Sequence, residues 1–107
     1  MMRELIGAKL RAHGYRVVEA ETGDAALPLL RNGGIDVVVT DIFMPGACDG
    51  WSLAEEARRL YPRIAVVYSS SAPANALRQV IASLYLRKPY PPDSLVAAIR
   101  QLTGQRQ

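Results

Sequence analysis

The sequence predicts an α/β fold in which a parallel sheet carries helices on both faces. Short apolar runs alternate along the chain with amphipathic stretches of helical spacing, and there is no internal repeat. The run Asp36–Thr40 is mostly β-branched, which is typical of a strand buried on both faces. Strands that alternate with helices at these lengths form βα units, whose strands run parallel.

The first half of the chain is predicted to alternate helix, strand, helix and strand. Helical spacing of apolar residues indicates a first helix from about Arg3 to His13, which Gly14 ends. The short apolar run Val17–Ala20 is typical of a strand. Thr22 has the side chain of a helix N-cap, so a second helix should follow it and close at Asn32-Gly33-Gly34. The strand over 36–40 comes next.

The second half continues the same alternation. After a loop over residues 44–50, apolar spacing and buried runs predict a helix, a strand, a short helix, a strand and a final helix. These elements cover Trp51–Leu60, Ile64–Tyr68, Ala74–Ser83, Leu84–Arg87 and Asp93–Leu102.

The composition limits the classes of function. A chain of 107 residues forms one domain, and the 50% hydrophobic and 21% charged residues are the balance of a globular domain. The net charge of +3 comes mostly from scattered arginines, so we expect no nucleic-acid partner. No stretch approaches the roughly 20 apolar residues of a membrane span, and no signal pattern opens the chain. We therefore expect a cytoplasmic protein without a membrane partner.

Polar residues follow three of the predicted strands. Asp41 follows the β-branched run, Ser69 follows the next strand, and Lys88 follows the last one. In parallel sheets, ligands and chemistry gather beyond the carboxyl ends of the strands. We therefore expect the three side chains to converge on one rim.

Four motifs occur in order along the chain and match one known family. They are Tyr15–Gly23, Val38–Pro45 with Asp49-Gly50-Trp51, Val67–Ser70, and Lys88-Pro89 with Tyr85 before it. Together they resemble the receiver domain of bacterial two-component response regulators, whose phosphorylation segment reads D-x-x-M-P-x-x-D-G. This chain has one residue more than that pattern between Pro45 and Asp49. The resemblance covers the chain from Arg3 to Leu102.

The resemblance implies a flavodoxin-like (CheY-like) fold with strand order 2-1-3-4-5 over a single receiver domain, residues 1–107. It also implies that Asp41 accepts a phosphoryl group from a histidine kinase or a phosphotransfer protein. Lys88 would supply a point charge to one phosphoryl oxygen, and the Ser69 hydroxyl would donate to another. Tyr85 would change rotamer as Ser69 moves, so that these two residues form a conformational switch.

Each of these residues also has an ordinary structural interpretation. Asp41 could cap a turn, Lys88 could be a surface lysine, and Tyr85 could be a plain strand aromatic. A serine at a strand end is common, and two further serines directly after Ser69 leave the choice among the three open.

Three other chemically distinctive residues are not assigned to the site. We expect His13 to be solvated or to cap a helix end, and Trp51 to pack the start of its helix. Cys48 is interpreted as an incidental loop thiol; as the single cysteine it excludes an internal disulfide.

The start of the chain departs from the family pattern. Receivers usually begin with a hydrophobic strand that ends in two adjacent acidic residues; here that first strand is missing, so we expect an N-terminally incomplete domain. Glu4, inside the first helix, cannot replace the acidic pair. Asp41 and the Phe43 backbone carbonyl are then an incomplete metal site, because a hard dication needs several oxygen ligands. Mg²⁺ is expected for the family, but we expect this chain to bind it poorly and to be phosphorylated weakly.

The absence of a central strand leaves three explanations open. These are an artificially late start, which we favour, direct pairing of the Val17 and Val37 strands, and a strand donated by another chain. Exposed inner strand edges also predict self-association.

We therefore predict a phosphoacceptor receiver of a two-component phosphorelay, and not an enzyme beyond its own phosphorylation and dephosphorylation. The alternative is a pseudo-receiver, which keeps the fold and Asp41 but acts as a protein interaction module without phosphate. A flavodoxin-like enzyme is disfavoured, because no strand is followed by a Gly-rich phosphate loop and no nucleophile–base pair is evident.

Overall fold

A computed structural model of the protein describes residues 2–71, 73 and 77–104, with side chains described from residue 7 onward. This part of the chain contains four helices and three strands. In chain order they are α1 (Met2–Ala12), α2 (Gly23–Arg31), β1 (Val37–Thr40), α3 (Gly50–Leu60), β2 (Ala65–Ser70), β3 (Leu84–Arg87) and α4 (Pro92–Thr103). No helix in the described ranges is long and apolar enough to cross a membrane.

The three strands form one parallel sheet in the order β1-β2-β3. The register pairs Thr40 of β1 with Tyr68 of β2, and Tyr68 in turn with Tyr85 of β3. Every residue of β2 is buried, as expected for a strand with a partner on each edge and helices on each face. The predicted α/β class with a parallel sheet is confirmed.

Alternation along β2 sends successive side chains into two separate cores. Val66 and Tyr68 join the α2–α3 core, which also holds Leu30 of α2. Val67 joins the α1–α4 core, together with Leu10 and with residues of α4. The sheet therefore has helices on both faces, as the sequence predicts.

Local signals at the helix ends explain where the helices begin and stop. Thr22 accepts a hydrogen bond of 2.9 Å from the Ala25 amide at the start of α2. Asp49 accepts one of 2.8 Å from the Ser52 amide at the start of α3. Gly104 adopts a left-handed φ of 74° and ends α4.

The predicted strand at Val17–Ala20 is wrong, because no strand is assigned over residues 15–20. Val17 packs against the α1–α4 core, and its carbonyl accepts a hydrogen bond from the Arg11 guanidinium at 3.1 Å, while Val18 is 60% exposed. The apolar pattern gives a β-preference, but a strand needs a neighbouring backbone. The direct pairing of the Val17 and Val37 segments is also not formed, since residues 15–20 form no strand and the described sheet consists of β1, β2 and β3.

The predicted short helix at Ala74–Ser83 is also wrong for the residues of that segment that the structure describes. Ala74–Ala76 lie outside the described residues, and residues 77–83 form turns. The Arg58 guanidinium donates to the carbonyls of Ile81 and Ala82, so these acceptors are engaged by α3. Ala82 has a φ of 58°, a left-handed conformation that a helix cannot contain.

The loop between β1 and α3 is closed by a short backbone hydrogen bond. The Gly50 amide donates to the Ile42 carbonyl at 2.8 Å, which brings the start of α3 against the end of β1. A methyl group built on Gly50 would overlap the backbone carbonyl of Asp41. Gly50 is therefore required by the close approach of two backbones.

We predict that Gly50→Ala lowers the free energy of unfolding by about 1–3 kcal/mol, because an added methyl overpacks against backbone that cannot move aside. Gly7→Ala is the matched control, since its added methyl would meet only the far ends of two flexible side chains, the Glu19 carboxylate at 3.1 Å and the Arg11 guanidinium at 3.3 Å. The control should be neutral or stabilising, by up to about 1 kcal/mol. Urea unfolding of the three proteins tests this; equal stability of the two variants would contradict it.

Candidate functional site

The carboxyl ends of β1 and β3 bring a carboxylate and an ammonium group together. Asp41 directly follows β1 and Lys88 directly follows β3. The Lys88 Nζ atom lies 2.8 Å from Asp41 Oδ2, although 47 residues separate them in sequence. The two side chains are 27% and 38% exposed, so the pair is open to solvent and to a reaction partner. The Lys88–Pro89 peptide bond is cis.

The Asp41 carboxylate is held by its own backbone as well. Its Oδ1 atom accepts a hydrogen bond of 2.7 Å from the Ile42 amide. The buried Thr40 hydroxyl donates to the Asp41 carbonyl at 2.8 Å. One carboxylate oxygen therefore contacts an amide and the other an ammonium group, which fixes the plane of the carboxylate.

The three consecutive serines after Tyr68 lie in different surroundings. Ser69 is 4% exposed, and its hydroxyl lies 2.5 Å from the Tyr90 hydroxyl. Tyr90 packs on the α1–α4 core, so Ser69 points to that face. Ser70 is also buried and, by alternation, lies on the α2–α3 face with Tyr68, while Ser71 is exposed. In the described residues Ser69 is thus paired with Tyr90 and not with Asp41.

Tyr90 is the residue at this rim that the sequence analysis missed. It lies two positions after Lys88 and carries a hydroxyl within the segment that returns from β3 to α4. The signal was present as an aromatic hydroxyl next to the Lys-Pro pair, but only the three-dimensional structure gives its partner.

Tyr85 belongs to a cluster of three aromatic rings on the α2–α3 face. The Trp51 and Tyr68 ring centroids are 4.9 Å apart, and Tyr85 lies 6.3 Å from Trp51 and 5.9 Å from Tyr68. These separations are those of interacting aromatic pairs. Ser69 and Tyr85 therefore lie on opposite faces of the sheet, whereas Ser70 shares the face of Tyr85.

The Tyr68 hydroxyl connects this cluster to the turn after β2. It accepts a hydrogen bond of 3.1 Å from the Val80 amide. Burial raises the pKa of the Tyr68 phenol and the Glu55 carboxylate adds to this, against a lowering effect of the Val80 hydrogen bond. The phenol therefore stays protonated through neutral pH.

Trp51 and His13 lie as expected, whereas the side chain of Cys48 packs in the α2–α3 core and is not an incidental loop thiol. Cys48 is buried, and burial followed by nearby carboxylates raises the pKa of its thiol, which keeps it unreactive. Trp51 is buried in the α2–α3 core near the start of α3. The His13 ring lies 3.4 Å from the Arg100 guanidinium on the exposed surface, near the end of α1.

The described side chains do not complete a magnesium site. Within the described ranges, no group of three or more His, Cys, Asp and Glu residues could hold a metal ion. Asp41 and the Phe43 carbonyl offer only part of the oxygen set that Mg²⁺ requires. Lys88 already contacts one Asp41 oxygen, and an ammonium group is not a metal ligand.

The fold and the site define a parallel α/β domain with a carboxylate–ammonium pair at the carboxyl ends of its strands. The family model described as "Response regulator receiver domain" matches residues 1–100. This chain belongs to that family, the signalling domains of two-component systems.

Curated relatives and solved structures agree with this assignment. The chain is 33% identical over 100 residues to the transcriptional regulatory protein GlrR of Escherichia coli K12, covering 90% of this chain and 22% of the relative. It is 32% identical over 110 residues to the response regulator FleR of Pseudomonas aeruginosa, covering 97% and 23%. The chain thus spans less than a quarter of the length of these relatives.

Two solved structures show the same fold. A response regulator receiver protein from Sinorhizobium medicae superposes with a TM-score of 0.84 at 34% identity, covering 95% of this chain and 85% of that chain. The response regulator TrrA from Thermotoga maritima, in complex with Mg²⁺ and BeF, superposes at 0.85 with 29% identity, covering 94% and 89%. The predicted family and CheY-like fold class are confirmed.

We predict that the protein loses stability at alkaline pH through Tyr68. Because its pKa is raised in the folded state, its contribution is full below the unfolded-state pKa of about 10 and is lost as pH rises through the folded value. In Tyr68→Phe, the free energy of unfolding should fall less steeply above about pH 10. Urea unfolding at several pH values measures this; parallel profiles for the two proteins would contradict it.

Proposed function

We propose that residues 1–107 act as a single cytoplasmic receiver domain that accepts a phosphoryl group on Asp41. The donor would be the phosphohistidine of a histidine kinase or of a phosphotransfer protein, the partners typical of this family. The observation that carries the proposal is the 2.8 Å contact between the Asp41 carboxylate and the Lys88 ammonium at the carboxyl ends of the strands.

The transfer requires an in-line nucleophile and positive charge near the phosphoryl oxygens. An Asp41 carboxylate oxygen would attack phosphorus as the bond from phosphorus to the donor imidazole nitrogen breaks, and that nitrogen keeps the bonding electron pair. The product is an acyl phosphate on Asp41 and a free histidine on the donor. Lys88 would exchange its contact with Asp41 Oδ2 for one with a phosphoryl oxygen, compensating the charge that has arrived.

The chemistry does not make the domain a classical enzyme, because its own carboxylate is the group that is modified. The described residues do not complete a magnesium site, so no step is assigned to the metal. The sequence-based expectation that phosphorylation is weak follows from that incomplete set and stays a prediction. The alternative is a pseudo-receiver, which would keep the fold and Asp41 and work as a protein interaction module without phosphate.

A hydroxyl would assist Lys88, and Ser70 is better suited than Ser69 to this part. Ser69 is engaged with Tyr90 on the α1–α4 face, whereas Ser70 ends β2 on the face that carries Tyr85. Inward movement of Ser70 toward the phosphoryl group would open space beside Tyr85. We propose that Tyr85 then changes rotamer, so the predicted switch would operate through Ser70 and not directly through Ser69.

Asp41→Asn should abolish labelling by phosphoramidate or by a phosphorylated histidine phosphotransfer protein, because the amide is not a nucleophile. Asp36→Asn, at the other end of the same strand, is the matched control and should label as the wild type does. Lys88→Ala should slow labelling by roughly one to two orders of magnitude, whereas Lys9→Ala should not. Intact mass and hydroxylamine lability report the acyl phosphate.

The outcomes separate the two candidate functions. Label that persists in Asp41→Asn would remove Asp41 from the mechanism. A wild-type protein that takes no label from either donor, with or without added Mg²⁺, would leave the pseudo-receiver as the better account.

Phosphorylation should change the emission of Trp51, because Tyr85 is one of its two aromatic neighbours. Tyr85→Phe keeps the ring and should keep the response, whereas Tyr85→Leu should show a much smaller one. Fluorescence spectra before and after labelling measure the change. An undiminished response in Tyr85→Leu would argue against a moving Tyr85.

A further inference from the structure

We propose that Ser69 and Tyr90 are positioning residues for Lys88: their partly buried hydroxyl pair holds the segment after β3 so that the lysine reaches Asp41. The inference rests on the proposed function, since it concerns the cation of that site. It assigns to Ser69 a structural task within the site in place of the predicted contact with phosphate.

The hydroxyl pair joins two elements that are distant in sequence. The oxygen atoms of Ser69 and Tyr90 are 2.5 Å apart, and either can be the donor. Ser69 is 4% exposed, so a hydroxyl there needs a protein partner. The Tyr90 ring packs on the α1–α4 core, which fixes where its hydroxyl can lie.

Lys88 lies between two attachments to β2. On one side, its own amide donates to the Ser70 carbonyl at 2.8 Å, continuing the β2–β3 ladder by one residue. On the other side, Tyr90 contacts Ser69, the preceding residue of β2. The Lys88 backbone is thereby fixed at both ends against a fully buried strand.

A fixed backbone matters because the lysine side chain is long and flexible. Its stem crosses from the end of β3 past β2 to β1, where the ammonium contacts Asp41. A lysine loses much rotamer entropy when it is held in one position, and a displaced backbone would favour the other rotamers. Release of the segment at Tyr90 would therefore lower the fraction of molecules in which the ammonium lies at the carboxylate.

The two aromatic residues near the rim have separate tasks in this scheme. Tyr85 lies with Trp51 and Tyr68 on the α2–α3 face, where it can report the state of the site. Tyr90 lies on the opposite face with its hydroxyl on Ser69, where it maintains the site.

The test measures the rate of Asp41 labelling by phosphoramidate in Ser69→Ala, Tyr90→Phe and the double variant. Each single change removes one hydrogen bond of a net strength that corresponds to a rate loss of roughly two- to tenfold. The double variant should lose no more than either single one, because both changes break the same contact. Tyr61→Phe is the control, since its hydroxyl donates to the Leu30 carbonyl far from the site and its loss should leave the rate unchanged.

The readout that separates positioning from general structure uses Lys88→Ala as a background. If Ser69 and Tyr90 act through the lysine, adding Tyr90→Phe to Lys88→Ala should slow labelling no further. A further loss of the same size in that background would overturn the proposal, as would a Tyr90→Phe rate equal to wild type. If Ser69→Ala is slower while Tyr90→Phe is not, Ser69 contacts the phosphoryl group directly and the proposal fails.

These results are distinguishable from failure of the proposed function. A wild-type protein that takes label on Asp41 retains the function whatever the Tyr90 variants do. A protein that takes no label in any form removes both the function and this role of Ser69 and Tyr90. Circular dichroism at the assay temperature shows whether each variant is folded when its rate is measured.

Discussion

The double-sided burial of β2 is the constraint on which the rest of the structure depends. With a partner strand on each edge and helices on each face, β2 has a single possible register, because a slip of one residue would exchange its two sets of side chains. That register carries Tyr68 to the aromatic cluster and Val67 to the α1–α4 core. It also decides which of the consecutive serines points to Tyr90. The positions of the side chains at the carboxyl ends of the strands therefore depend on how β2 packs in the interior of the domain.

The contact between Asp41 and Lys88 contributes little to the stability of the fold. Both side chains are partly exposed, and ion pairs of this kind contribute about 0–1 kcal/mol. The stability of the domain comes from the two apolar cores. A substitution of Asp41 or of Lys88 would not disturb either core. The segment that carries the lysine is held by the hydrogen bond from the Lys88 amide to the Ser70 carbonyl and by the Ser69–Tyr90 hydroxyl pair. A surface ion pair alone would not require these contacts. Under the proposed function, the Lys88 ammonium has to be available to an incoming phosphoryl group, and this would account for the arrangement.

Most of the fold follows from patterns that are local in sequence. The cap at Thr22, the apolar spacing of α3 and the apolar run of β2 are sufficient to predict their elements, because each signal acts within a few residues. The errors occur where a partner decides the outcome. Val17–Ala20 has the composition of a strand but no adjacent backbone in the described sheet, and the backbone carbonyls at Ile81 and Ala82 are taken by Arg58.

The site shows the same division between local and non-local information. Asp41 and Lys88 could be named from the sequence, because their types and their places after strands are local, and parallel strands bring their ends together. The choice among the three serines could not be made from the sequence. It depends on which face of β2 each side chain points to, and therefore on which of the two cores it meets. Tyr90 could not be identified for a different reason, because an aromatic residue after a proline commonly has a purely structural role. Its role follows from its contact with Ser69, which lies 21 residues away in sequence.

Asp41, the proposed nucleophile, follows a strand that pairs on one edge only in the described sheet, so contacts outside the sheet must hold it in place. In the described sheet β1 pairs with β2 alone, and three of its four residues are only half-buried. The rigidity comes instead from the residues that flank the aspartate. The Thr40 hydroxyl and the Ile42 amide hold Asp41 locally, and the Gly50 amide ties Ile42 to the start of α3. The Asp41 carboxylate is therefore held by its flanking residues and, through Ile42, by the start of α3.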